Sequence, residues 1–462
     1  MTAPVDVAVV GAGQAGLAMS WHLTQRNISH VVLEADEIAH EWRDRRWDTF
    51  CLVTPNWQCA LPGFDYGEHA GGGEPDGFML RDEIVDFVRS YAASFAPPVR
   101  ERSRVHRLTM SPDSATDGAT DGDDGPAYEL VTDDEIVRAR QVVVAAGPYQ
   151  VPRVPRFGQW LPREVHQLHS SAYQRAGDLP DGDVLVVGTG QSGAQIAEDL
   201  HLAGRQVHLV TGTAPRVARF YRGRDVVAWL ADMGYYDRAV EDFDDVDAVR
   251  FRVNHYVTGR DGGHDLDLRA FARDGMRLYG RLLSVQDGTL AFADDLAENL
   301  DRADRVSDSI KDSIDAWIDG HGLDAPTEHR YVPVWRPPAP TPDPARELDL
   351  AAAGITSVIW ATGYTRDDRW IEVPVFDGRG YPTHRRGVTS APGLYFLGLP
   401  WQHTWGSGRF GGVAADAAYL AERIEAQRDG GHDERATLRW ISRATSQAAS
   451  PGSHDVSTAT VA

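Results

Sequence analysis

The chain has 462 residues, enough for two or three domains with substantial cores, and its formal charge of −22 argues against nucleic acid or an anionic membrane surface as partner. The cationic side chains are nearly all arginine, Lys311 being the one lysine, so phosphate recognition falls to arginine and backbone amides and lysine Schiff-base chemistry is disfavoured. No apolar run approaches membrane-spanning length, nothing ahead of the first strand reads as a signal peptide, and the two cysteines, Cys51 and Cys59, have neither redox CxxC nor zinc-ligand spacing, so we expect a cytoplasmic protein with reduced thiols.

In chain order, residues 6–10 form a short apolar run that reads as a buried parallel strand. It enters Gly11-Ala12-Gly13-Gln14-Ala15-Gly16. There the first glycine suits a tight turn, and the second lets amides at a helix start approach a pyrophosphate. A helix-like run follows (Leu17, Ala18, Trp21, His22), then a second apolar run, 28–33, closing on Glu34, an acceptor for a ribose hydroxyl. In residues 41–48, Trp42 and Trp47 interleave with Arg43, Arg45 and Arg46, a composition able to stack on a ring and neutralise phosphates. Residues 82–95 have helical apolar spacing, 104–108 and 128–131 read as strands, and 111–126 as a mobile polar loop. Residues 141–147 make a further buried strand ending on Ala146 and Gly147, before a proline-marked linker at 148–162.

The opening pattern then recurs after 177 residues. Residues 183–187 lead into Gly188-Thr189-Gly190-Gln191-Ser192-Gly193, with 206–210 as the second strand and Thr211 where Glu34 stood. One such glycine motif is weak; two copies, each with a strand before and a helix after, make a dinucleotide-binding reading. Glu34 favours a ribose with free hydroxyls, as in FAD. Uncharged Thr211, followed by Arg216, suits the 2′-phosphate of NADPH.

Residues 215–325 exceed what such a unit needs: 268–282 reads as a helix, 284–292 as a hairpin around Asp287-Gly288, and 296–317 as a helix stopping at Gly320. His255, His264, Asp265 and Asp267 resemble a metal set only by residue type, and we expect no metal site. A second proline-rich linker spans 326–344. Residues 355–359 run into Trp360-Ala-Thr-Gly363-Tyr364, echoing 142–147. A buried strand at 393–398, an aromatic and glycine-rich run at 399–412, and a helix at 413–427 close the ordered part. The expected fold is α/β, two Rossmann-like domains with the NADP domain inserted into the FAD domain. The boundaries read as 1–155 (FAD, first part), 165–325 (NADPH, with the 215–325 addition), 326–430 (FAD, return) and 431–462 (disordered tail).

Both glycine motifs, His169-Ser-Ser-Ala-Tyr173 and Trp360-Ala-Thr-Gly-Tyr364 together resemble the flavin-containing monooxygenases, over nearly all of residues 4–428. Residues 41–47, 53–59, 218–225 and 254–263 are similar to a bacterial subfamily of flavin-dependent oxidoreductases. The resemblance implies an enzyme in which NADPH reduces FAD, O2 forms a flavin C4a-hydroperoxide, and a small nitrogen- or sulfur-containing metabolite takes the oxygen. It implies Asn56 as an amide donor beside the flavin, against the plainer reading of a turn residue after Pro55. It implies FAD contacts at Gly11, Gly13, Gln14, Ala15, Gly16, Glu34, Trp42, Arg43, Ala146, Gly147 and Gly363, and NADPH contacts at Gly188, Gly190, Gln191, Ser192, Gly193 and Arg216. A homodimer is compatible with it. The chain departs from the family pattern in two places: Arg163 and Val165 replace a phenylalanine and a glycine, and Thr54-Pro55-Asn56 replaces a threonine-asparagine pair. An NADPH-dependent reductase without oxygen transfer, and a flavin-dependent redox sensor, stay open as alternatives.

Overall fold

The computed structural model describes residues 4–69, 73–111, 127–338 and 346–428. The loop expected at 111–126, beyond Ser111, and the tail at 431–462 lie outside them.

Two sheets organise the chain. In the first, Val5–Val10 lies between His30–Leu33 and Ile136–Val144, parallel to both. Val99–Arg100 extends one edge and Leu394–Phe396 pairs with the other side of Ile136–Val144, also parallel. Tyr128–Val131 adds antiparallel to the long strand, and Arg107–Met110 adds antiparallel to Tyr128–Val131. The alternation of the central strand explains its burial on both faces: Val7 and Val9 join Leu17 and Leu23 of the following helix, while Ala8 and Val10 join Val142, Leu394 and Phe396.

The second sheet is five-stranded and wholly parallel, in the order His166–His169, Ile355–Trp360, Asp183–Val187, Val207–Val210, Arg277–Tyr279. The fold is therefore α/β with two Rossmann-like units, the second inserted between the strands of the first.

Several elements differ from expectation. Ile355–Trp360 pairs with His166–His169 and Asp183–Val187 in the second sheet, so the chain returns to the first sheet only with Leu394–Phe396 and its hairpin neighbours. Its likeness to Ile136–Val144 reflects an equivalent place: each is the central parallel neighbour of a glycine-turn strand. The helix expected at 268–282 stops at Arg273. Gly275 at φ +109 reverses the chain, and Arg277–Tyr279 becomes the sheet's edge strand. The strand expected at 104–108 lies at Arg107–Met110, and that expected at 141–147 runs from Ile136 to Val144. Asp287 and Gly288, both at positive φ, do turn a hairpin between Leu282–Gln286 and Thr289–Phe292. The helix Leu296–His321 runs one residue past Gly320, ending on left-handed Gly322, and buries Ile310, Ile314 and Ile318 against Trp229 and Tyr221.

Candidate functional site

The first turn is built by three glycines with different physical reasons. Gly11 has φ +104, and a Cβ on it would lie 2.6 Å from the Ala145 carbonyl oxygen at the end of the neighbouring strand. A Cβ on Gly16 would lie 1.8 Å from the Gly11 carbonyl oxygen, so glycine there lets helix Gln14–Gln25 pack down on the turn. Gly13 has φ −71, and a Cβ on it would meet nothing within 4 Å. Neither packing nor backbone conformation requires glycine at 13; bare backbone facing open space fits close approach of a pyrophosphate. The helix that starts there carries no side-chain cap and no acid in its first turn, leaving its amides to an anion.

Glu34 is held against this turn. Its Oε2 accepts from the Ala12 amide at 2.6 Å and its Oε1 from the Asp36 amide at 3.0 Å. Ala146 is exposed and Gly147, at φ +69, has open space around it, both just past the strand end that bonds Val10. Gln14 Nε2 donates to the Gly408 carbonyl at 2.9 Å, and a Cβ on Gly398 would lie 3.0 Å from Ala15. The glycine-rich run after Leu394–Phe396 thus wraps the helix start, and its small residues are what allow it so near.

The second turn repeats the first bond for bond. Gly188 has φ +111 and its Cβ would lie 2.6 Å from the Ala361 carbonyl oxygen; that of Gly193 would lie 2.0 Å from the Gly188 carbonyl oxygen. The Gly11 amide donates to Leu33 O at 2.8 Å, and the Gly188 amide to Val210 O at 3.0 Å. Gly190 again faces open space at the uncapped, acid-free start of helix Gln191–Leu202, with Ser192 half-buried in its first turn. The copies differ at the strand end. Thr189 Oγ1 accepts from the Gly212 amide at 3.0 Å, and Thr211, buried, donates to Tyr279 O at 2.8 Å. No carboxylate takes the place of Glu34.

Arg216 is buried with its guanidinium over the Tyr331 ring, 4.1 Å from the ring centroid. Its Nε lies 2.7 Å from Asp304 Oδ1 but is not aligned for a hydrogen bond; Nε and Nη2 both lack an acceptor. Gln191 spends its amide on the backbone of Val257, donating to O at 2.5 Å and accepting from N at 3.3 Å. Gly363, at φ +82, offers its carbonyl to His169 Nε2 at 3.0 Å, while His169 Nδ1 accepts from the Ser171 amide at 3.1 Å; burial lowers the pKa of this histidine.

Two segments wall the first turn. Trp42 stacks on Phe410 with centroids 5.8 Å apart and lies 6.1 Å from Phe50. Arg43 pairs with Glu37 at 2.9 Å and Asp44 at 2.7 Å, so its charge is committed to surface carboxylates. The cation over the Trp42 ring, at 5.3 Å, is Arg46, which the motif alone did not single out. Asn56 is buried. Its Nδ2 donates to Glu74 O at 2.9 Å and its amide to Gly77 O at 2.9 Å, while Oδ1 has no partner. Cys51 and Cys59 are buried free thiols, and burial pushes both up to about 12.

Sequence reasoning missed the grip of the added segment. Arg260 meets Asp199 at 3.1 Å, His264 Nε2 meets Glu198 at 2.5 Å, and a Cβ on Gly259 would lie 2.1 Å from Leu52 O. Buried Arg219 pairs with Asp225 and donates to Val53 O at 2.8 Å. The one signal was two adjacent acids, Glu198 and Asp199, in a helix with no other acid. Asp265 accepts from the Arg219 amide at 2.6 Å, and Asp267 caps Leu268–Arg273 through the Arg269 amide at 2.9 Å. Among the described residues no helix is long and apolar enough to cross a membrane.

Comparison with known proteins agrees with this architecture. A family model described as pyridine nucleotide-disulphide oxidoreductase matches residues 8–233. An oxidoreductase of Geobacillus kaustophilus (strain HTA426), named an uncharacterized CzcO-like oxidoreductase, is 31% identical over 428 residues, 91% of this chain and 98% of that one. Indole-3-pyruvate monooxygenase YUCCA1 of Oryza sativa subsp. japonica is 31% identical over 203 residues, 44% of this chain and 46% of that one. A flavin-containing monooxygenase from Stenotrophomonas maltophilia shares the fold with a TM-score of 0.61 at 19% identity, covering 92% of this chain and 99% of its own. With two glycine turns on paired Rossmann-like units and 31% identity over 91% of its length to a CzcO-like protein, this chain belongs to the CzcO-like oxidoreductases and has the fold of a flavin-containing monooxygenase.

Proposed function

We propose that the chain is an NADPH- and O2-dependent monooxygenase that oxygenates a small nitrogen- or sulfur-containing metabolite. FAD would be held by residues 11–16 with Glu34, and NADPH by residues 188–193 with Arg216. The observation that carries this reading is the state of the thiols. The family model is described as a pyridine nucleotide-disulphide oxidoreductase, yet Cys51 and Cys59 are buried free thiols held protonated at neutral pH, which leaves no redox-active disulfide among the described residues to take electrons from a flavin.

The bound flavin supplies the chemistry of accepting a hydride from NADPH and passing both electrons to O2. The balance is one NADPH, one proton and one O2 consumed per water and oxygenated product formed. The protein's own part is to bind, orient and exclude water. Uncapped helix starts at Gly13 and Gly190 meet the two pyrophosphates, Glu34 takes a ribose hydroxyl, and the unsatisfied N–H groups of Arg216 take a 2′-phosphate. Trp42, Phe50 and Phe410 make an apolar wall that keeps water from the first turn.

A specific observation favours a second reading, reductase without oxygen transfer: the Asn56 amide already donates to Glu74 O. Oxygen uptake and peroxide release, followed with NADPH and a panel of small sulfides and amines, separate the two. A monooxygenase releases less peroxide per NADPH when its substrate is added; a reductase releases the same amount whatever is added.

A further inference from the structure

Arg409 carries a charge that no carboxylate among the described residues neutralises. It stands between Gly408, whose carbonyl accepts from Gln14, and Phe410, whose ring stacks on Trp42, and so lies at the edge of the wall over the first turn. Its Nη1 donates to the Trp405 carbonyl and its Nη2 to Asn254 Oδ1 at 3.2 Å, which accounts for two of the five N–H donors of a guanidinium. The guanidinium lies over the Trp405 ring, 4.0 Å from its centroid. Trp405 packs on Tyr236 at 4.7 Å, and Tyr236 on Tyr235 at 5.4 Å. The ionisable side chains facing Arg409 are Tyr149, Tyr235 and Tyr236. Several other enclosed arginines have their partners: Arg219 with Asp225, Arg260 with Asp199, Arg269 with Asp301 and Asp304, and Arg205 with the carbonyls of Ala176, Pro180 and Gly182. A half-buried guanidinium left with tyrosines is costly unless an anion joins it.

The setting says which anion. Tyr235, Tyr236 and Asn254 come from the 215–325 segment, Trp405 and Arg409 from the loop before helix Val413–Arg428. The two are fastened by the Val240 amide on His403 O at 2.6 Å and a bridge between Ala239 and Thr404. Nucleotide phosphates already have the helix starts at Gly13 and Gly190, and Arg216. A planar fork beside aromatic rings suits a carboxylate on an apolar or aromatic body.

We propose that Arg409 binds a carboxylate of the substrate, so that the substrate is an organic acid whose body lies against Trp405 and Tyr236. This rests on the flavin-monooxygenase reading for the role of this site. The test titrates FAD-loaded protein, without coenzyme, with phenylacetate and with its neutral isostere phenylacetamide, reading the flavin absorption. Phenylacetate should perturb the flavin saturably and bind about tenfold or more tightly than the amide, as a charge-assisted pair implies. Arg409→Gln should erase that preference while FAD content and NADP+ affinity stay within about twofold. Should that variant not fold, Arg409→Lys decides, since it keeps the charge and loses the fork: weaker phenylacetate binding with flavin retained supports the assignment. Equal binding of acid and amide by the parent protein, or an unchanged phenylacetate affinity in the variant, overturns it. Lost FAD or NADP+ affinity also overturns it, by making the anion a cofactor phosphate. The readout involves no turnover, so a failure to transfer oxygen would leave it standing.

Discussion

At the scale of single residues, Gly13 and Gly16 separate binding from folding. Gly13 has an ordinary φ and open space beside it, so Gly13→Val should fold with a melting temperature close to that of the flavin-stripped parent yet purify without flavin. Gly16→Val places carbon against the Gly11 carbonyl and should cost about 3 kcal/mol or more, the upper range for overpacking. A yellow, fully loaded Gly13→Val protein would remove residues 11–16 from the FAD site. Arg216→Ala should raise the KM for NADPH about tenfold or more and leave NADH nearly unchanged. Asp304 keeps Arg269 at 2.9 Å, so the variant should remain folded. Equal losses with both coenzymes would move the phosphate contact to another arginine. The glycines were legible in the sequence because their spacing is the signature. The difference between Arg43 and Arg46 was not, since which of two nearby arginines lies over Trp42 depends on where Glu37 and Asp44 fall in space.

At the scale of elements, the 254–267 loop fastens the added segment to helix Gln191–Leu202. The hydrogen bond that His264 donates to the Glu198 carboxylate raises the pKa of the histidine above its ordinary 6.5. The folded protein therefore holds this proton more tightly than the unfolded chain. The resulting stabilisation is present in full below about 6.5 and is lost as the pH rises through the raised value. The melting temperature of the parent should exceed that of His264→Gln at acidic pH, and the two should converge in alkali. A gap that widens in alkali would contradict the bond's role. Apolar spacing read 82–95 and 296–317 as helices, which the structure has at Arg81–Phe95 and Leu296–His321, but overran at 268–282. There Gly275 at positive φ ended the helix, and pairing with Val207–Val210 made Arg277–Tyr279 a strand. Parallel pairing between distant segments leaves no local trace, and for the same reason Ile355–Trp360 could not be placed in its sheet from its own residues.

At the scale of the molecule, two glycine turns of one design differ at the end of their second strand, Glu34 in one and Thr211 in the other, and the thiols that a disulfide relay would need are buried. The central claim is that electrons entering from NADPH leave through O2 into a substrate. It is tested most directly by turnover under oxygen-18 gas with NADPH and a panel of small sulfides and amines, with mass analysis of the product. The account predicts product carrying one labelled oxygen atom per NADPH consumed, and none when the label is in water instead. Full NADPH consumption with all the labelled oxygen recovered as hydrogen peroxide, for every compound of the panel, would contradict it.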